Sequence, residues 1–214
     1  KKQNTMLADL TVKDFLDKVA CSDPVPGGGS IAALNGAIAS ALAAMVANLT
    51  IGKKGYELHE ELMRHISGVA LQQKEAFVAD IDRDSEAYDK VFACFKMPKA
   101  TDEEKAARSV AIQEATKLAA LVPMQVARSA YELMTVIMDV ARLGNRNAVT
   151  DACVAMMSAR SAVLGALMNV RINLGSLKDK EFVSKLQSEA DELERLACAK
   201  EKELLDEINQ ELKV

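Results

Sequence analysis

Residues Pro24 to Ile51 read PVPGGGSIAALNGAIASALAAMVANLTI. Two prolines and three consecutive glycines predict a loop of unusual backbone freedom over Pro24–Gly29. Ser30 is the expected N-cap of the helix that follows, and Gly52 its expected stop after Ile51. Ile31 to Thr50 holds eight alanines among twenty residues and no charge, which predicts a helix buried on every side. A glycine-rich entry to such a helix either binds an anion or polarised oxygen at the exposed N–H groups, or only lets the chain enter a crowded core. The stretch lacks the Lys-Ser/Thr ending of a P-loop.

The rest of the 214 residues reads as helix around this one. Thr11 with Asp14 opens a short helix ending near Cys21, with Leu10 and Phe15 placed as a hydrophobic staple. An apolar three-to-four repeat runs from Glu57 to Phe95, and Pro98 ends it. Thr101 to Glu104 is a capping box for a helix that Val122-Pro123 kinks or breaks before it resumes to Leu143. Gly144 is expected as a left-handed stop. Thr150 is expected to cap a helix over Asp151–Asn173, and a final amphipathic helix runs from about Asp179 to Leu212. The expected fold is all-α, a single domain over residues 1–214, with long helices bundled around the Ala-rich one.

Half the residues are hydrophobic, 4% are aromatic and the net charge is −4. That balance speaks against a nucleic-acid binder. The run from Pro24 to Gly52 reads as a buried helix rather than a membrane span, because Asn35, Ser40 and Asn48 interrupt it. Four scattered cysteines without a CxxC pair imply reduced thiols and a cytoplasmic setting. His59 and His65, six apart, make a poor metal site, so no metal is expected.

Ionisable groups concentrate at Asp80, Asp82, Asp84 and Glu86. In helical phase Asp84 aligns with Ile81 and Tyr88, so at least one carboxylate points inward. Such a group is either a general acid of raised pKa or part of a solvated face paired with Arg83 and Lys90. Lys53 and Lys54 either cap the Ala-rich helix or hold an anionic tail. Asn169 and Asn173, an i,i+4 pair, either satisfy loop backbone or read a ligand's polar edge.

Taken in order, several pieces resemble the formiminotetrahydrofolate cyclodeaminase family. They are Leu10-Thr11-Val12, Pro26 to Ser30, Gly52-Lys53-Lys54, Asp82 to Tyr88, Pro98-Lys99, Gly144 to Asn147, Asp151 and Asn169 to Leu174. The resemblance implies a homodimer, a tetrahydrofolate derivative bound as substrate near the subunit interface, and no further cofactor. It places the catalytic acid/base on Asp82, with Asp80, Asp84 and Glu86 holding its pKa high. Gly27, Gly28, Gly29 and Ser30 would shape the pterin or amidine end of the pocket. Lys53, Lys54 and Lys99 would meet the glutamate tail, and Asn145, Asp151, Asn169 and Asn173 the pterin. The expected reaction is closure of 5-formimidoyltetrahydrofolate to 5,10-methenyltetrahydrofolate with loss of ammonia, served by a separate formimidoyltransferase. The alternatives are a methenyltetrahydrofolate cyclohydrolase and a non-catalytic helical scaffold.

Overall fold

A computed structural model describes residues 6–212. Among them lie six α-helices, α1 (Val12–Val19), α2 (Gly28–Asn48), α3 (Glu60–Phe95), α4 (Asp102–Leu143), α5 (Val149–Leu174) and α6 (Lys180–Glu211), joined in part by single 3₁₀ turns. This is the expected all-α bundle. At its centre α2 is packed against α3, α4 and α5. Small side chains make this possible: Ala33, Ala39, Ala43 and Ala47 are wholly buried, so neighbouring backbones come close without leaving voids. By length and composition α2 and the segment Arg146–Leu174 would also suit a membrane span, yet most of α2 is buried inside the bundle.

Midway along α2, Gly36 lets α3 come close. A Cβ there would lie 2.7 Å from the ring of Phe77, itself almost fully buried on α3. Gly36→Ala is therefore expected to destabilise the protein by about 1–3 kcal/mol through overpacking, although alanine is the better helix former. Urea denaturation measures it, and an unchanged midpoint would refute the tight fit.

Several helix ends differ from expectation. α2 stops at Asn48, where the Thr50 N–H bonds the Ala47 carbonyl three residues back (3.0 Å) in the tighter spacing of a helix end, and Gly52 (φ +70) makes the following turn. Gly144 is extended rather than left-handed (φ −83, ψ −178). Its requirement is space: a Cβ would meet the Val140 carbonyl at 2.4 Å and the Thr50 hydroxyl at 3.2 Å. The α5 helix begins at Val149, so Thr150 lies inside it rather than capping it. Pro123 neither ends nor divides α4, which is assigned as one helix of 42 residues. The capping box of Thr101 and Glu104 is formed as expected, as is the Thr11 cap of α1.

The outer helix α6 is held mainly by burial of Leu186, Ala190, Ala197, Leu204 and Ile208. Arg128 pairs with Glu189 at 2.5 and 2.8 Å, and Arg142 spans Glu203 and Glu207. Such half-exposed pairs contribute roughly 1 kcal/mol or less each, against about 1.5–3 kcal/mol for each fully buried leucine or isoleucine.

Candidate active site

The N-terminus of α2 is where the chain concentrates polar groups in a concave space. Gly27 is its N-cap, so Gly28, Gly29 and Ser30 form the first helical turn instead of a loop. Ser30 therefore does not cap the helix. It is fully buried, and its hydroxyl donates across to the Ile81 carbonyl of α3 at 2.8 Å. Its backbone N–H, one of the donors a helix start leaves free, is given to Asp84.

Asp84 lies directly against the glycines. A Cβ on Gly29 would come within 2.0 Å of Asp84 Oδ1, and one on Gly28 within 3.3 Å of Asn169 Nδ2. Two adjacent glycines thus open the gap between a carboxyl on α3 and an amide on α5. The gap belongs to a cavity of about 340 Å³ lined by Gly27 to Gly29, Asp84, Tyr88, Asn169 and Asn173. That volume is at the lower end of the range for small-molecule sites. Burial pushes the Asp84 carboxyl above its ordinary pKa, and hydrogen bonding from Ser30 only partly offsets this. A carboxyl of this kind holds a proton more readily than a solvated one and gives it up beside helix-start N–H groups.

Asp82, expected as the catalytic group, faces elsewhere. Its oxygens accept from the backbone N–H groups of Leu7 (2.7 Å) and Ala8 (3.3 Å), which pins the segment before α1 onto α3. It lines a second cavity of about 570 Å³ with Glu86, Lys18 and Asp89, and Pro24, Val25 and Tyr88 form walls of both spaces. The reason is helical phase: two residues on a helix turn through about 200°, so Asp82 and Asp84 cannot share a face. Asp80, one turn before Asp84, does not line the first cavity either: it is buried and paired with Arg83 at 2.5 Å. Burial raises its pKa, and Arg83 opposes that rise. The four carboxylates thus do not form one cluster around Asp82.

Other expected site residues divide by position along the bundle. Asn169 and Asn173 do line the first cavity. Lys53 and Lys54 lie beyond the opposite end of α2, a helix of 21 residues and thus about 30 Å long. They border a separate hollow with Gly52, Glu57 and Glu60. Asn145 is also at that end. It is buried and spent on structure: its Nδ2 donates to the Leu49 carbonyl, and its Oδ1 accepts from the Asn147 N–H. Asp151 sits in the first turn of α5, the end remote from Asn169 and Asn173. Within one chain these four residues are remote from the cavity, because sequence order along α2 and α5 carries them to its far side. Lys99 is exposed in the link between α3 and α4, beyond the α3 end that bears Tyr88. Pro24 and Val25 of the glycine-rich stretch, Ala87 and Ile172 of the stretches that carry the resemblance, and Val91 and Ala119, which no motif marked, complete the wall.

Three kinds of similarity bear on this site. The family model described as Formiminotransferase-cyclodeaminase matches residues 11–192. The chain is 40% identical over 188 residues to the methenyltetrahydrofolate cyclohydrolase of Methylorubrum extorquens, covering 88% of this chain and 90% of that protein. It is 31% identical over 179 residues to rat formimidoyltransferase-cyclodeaminase, covering 84% of this chain but spanning only 33% of that protein. Its fold is similar to a crystal structure of formiminotetrahydrofolate cyclodeaminase from Thermotoga maritima, with a TM-score of 0.82 and 33% identity over 94% of this chain and 98% of that one.

Proposed function

The chain belongs to the formiminotransferase-cyclodeaminase family, and from that premise we propose that it is an enzyme acting on the one-carbon unit between N5 and N10 of tetrahydrofolate. The leading reading is cyclodeamination. N10 attacks the amidine carbon held on N5 and loses a proton; the carbon–nitrogen bond to the departing amino group breaks as that group gains one. One carboxyl that accepts the first proton and donates the second serves both steps.

We assign that role to Asp84 rather than Asp82. The observation that carries the assignment is the contact of Asp84 with Gly29 in a partly enclosed cavity, with a pKa raised by burial. In this reading the first-turn N–H groups of α2 face the polarised amidine, and the amides of Asn169 and Asn173 face the pterin. A second reading, hydrolysis of the methenyl bridge, has its own support in the 40% identity to a cyclohydrolase along nearly its whole length. The same carboxyl then takes a proton from water.

Offering the protein 5-formimidoyltetrahydrofolate and 5,10-methenyltetrahydrofolate separately, while following absorbance and ammonia, decides between them. Ammonia release with methenyl formation supports cyclodeamination. Loss of the methenyl chromophore without ammonia supports the hydrolase, and inertness toward both refutes the folate reading.

We also propose a homodimer. The α2 helix carries no charge yet exposes Ile38 and Met45, with Leu49 exposed just past its end, and α5, packed beside it, exposes Val154, Met157 and Met168. A second copy covering this apolar face predicts a dimeric mass in light scattering; a monomeric mass at micromolar concentration refutes it.

A further inference from the structure

Pro123 lies inside α4, buried, where a proline removes one rung of the helical ladder. The carbonyl left without a donor is that of Ala119, four residues earlier, and the proline ring presses it away from the helix axis. Ala119 is itself buried, at 8% exposure, so a carbonyl here needs a partner within the protein or the cavity. The donor it meets is the side chain of Asn173 on α5, whose Nδ2 lies 3.1 Å from it. The same Nδ2 donates to the Asn169 carbonyl at 2.8 Å. A primary amide carries two hydrogens, and both are therefore committed. The orientation of the amide follows, since reversing it would set its oxygen against two carbonyls.

Ala119 and Asn173 both line the 340 Å³ cavity. We propose that Pro123 is a positioning residue of this site: by leaving the Ala119 carbonyl without a helical donor, it recruits the Asn173 amide and presents Asn173 Oδ1 to the ligand as a hydrogen-bond acceptor. The ligand group met there is then an N–H or O–H donor. The amino and ring N–H groups of a pterin have that chemistry, and only this identification rests on the folate reading above.

The test is a double-mutant cycle on the full-length protein, followed first by thermal denaturation. Asn173→Ala is expected to lower the midpoint by about 3–6 °C, because it orphans the Ala119 carbonyl. In a Pro123→Ala background residue 123 regains its N–H and serves that carbonyl, so the same substitution is expected to cost less than half as much. Equal losses in both backgrounds would overturn the proposal, whatever the ligand is.

The second readout is kinetic, with 5-formimidoyltetrahydrofolate or 5,10-methenyltetrahydrofolate, whichever the protein turns over. Pro123→Ala is expected to raise KM about fivefold to tenfold and to change kcat less, with no loss of thermal stability. Adding Asn173→Ala to it should raise KM little further. An unchanged KM, or effects that multiply, would overturn it. Pro123→Ser restores the same N–H and replaces the alanine variant if that one does not fold. If the unmodified protein turns over neither folate, the functional reading fails while the stability cycle still decides the role of Pro123.

Discussion

Replacing Asp84 by asparagine is expected to lower turnover by about 10²- to 10⁴-fold, the usual contribution of a positioned acid/base group. The amide keeps the shape of the side chain and an oxygen for the Ser30 N–H, but it neither accepts nor releases the proton. Stability should move the other way. The folded-state pKa of Asp84 is raised, chiefly by burial. Between the ordinary carboxylate value and the raised one, the folded protein therefore binds more protons than the unfolded chain. Stability from this group is present at low pH and is lost as pH rises through that window, so at neutral pH the ionised carboxyl is a net cost. Asp84→Asn removes the cost and should leave the protein at least as stable as before at pH 7, with less loss of stability between acid and neutral pH.

Asp82→Asn should do nearly the reverse. It keeps one acceptor but sets an NH₂ group against one of the Leu7 and Ala8 N–H donors, so it costs roughly 1–2 kcal/mol with a smaller loss of turnover. Activity assays and denaturation of the two variants side by side are decisive. Turnover abolished by Asp82→Asn and retained by Asp84→Asn would return the proton transfer to Asp82.

Gly29→Ala is expected to cost at least about 10²-fold in turnover, the loss that a displacement near 1 Å brings to a reacting group. A Cβ at this position would lie 2.0 Å from Asp84 Oδ1, 2.3 Å from its Cγ and 2.4 Å from Oδ2. All three distances are far inside contact, so the carboxyl must leave its place against the helix start. Helix propensity alone would favour alanine here by about 1 kcal/mol. A loss of activity therefore reports the clash, not weakening of α2. Gly28→Ala is the comparison: its Cβ would meet only the Asn169 amide, at 3.3 Å, which a small side-chain shift relieves. Its effect should fall mainly on KM. Wild-type turnover in Gly29→Ala would refute the placement of Asp84 at the reacting atoms.

Fold class was legible because it rests on local preference and periodicity. The uncharged alanines of α2, the capping box at Thr101 and Glu104 and the apolar stripe of α6 act within a few residues of themselves. The glycine run was legible as a site of close approach, yet not as the first turn of a helix. A helix start tolerates glycine when neighbouring elements need the space, and here the neighbours are Asp84 and Asn169, 55 and 140 residues further along the chain.

Helical phase also set Asp84 in line with buried Ile81, which was a usable signal for the inward carboxyl. What that phase does not contain is the partner. Whether Asp82 meets solvent, a ligand or the N–H groups of Leu7 and Ala8 depends on where the N-terminal segment returns to α3. The same limit separated Asn169 and Asn173 from Asn145 and Asp151. All are polar residues near helix ends, and only the direction in which α5 crosses the bundle brings one pair to the cavity and carries the other pair away. Periodicity is a property of one helix and is written in its own residues. Assembly of a site from three helices is decided by packing, which couples residues that no local pattern connects.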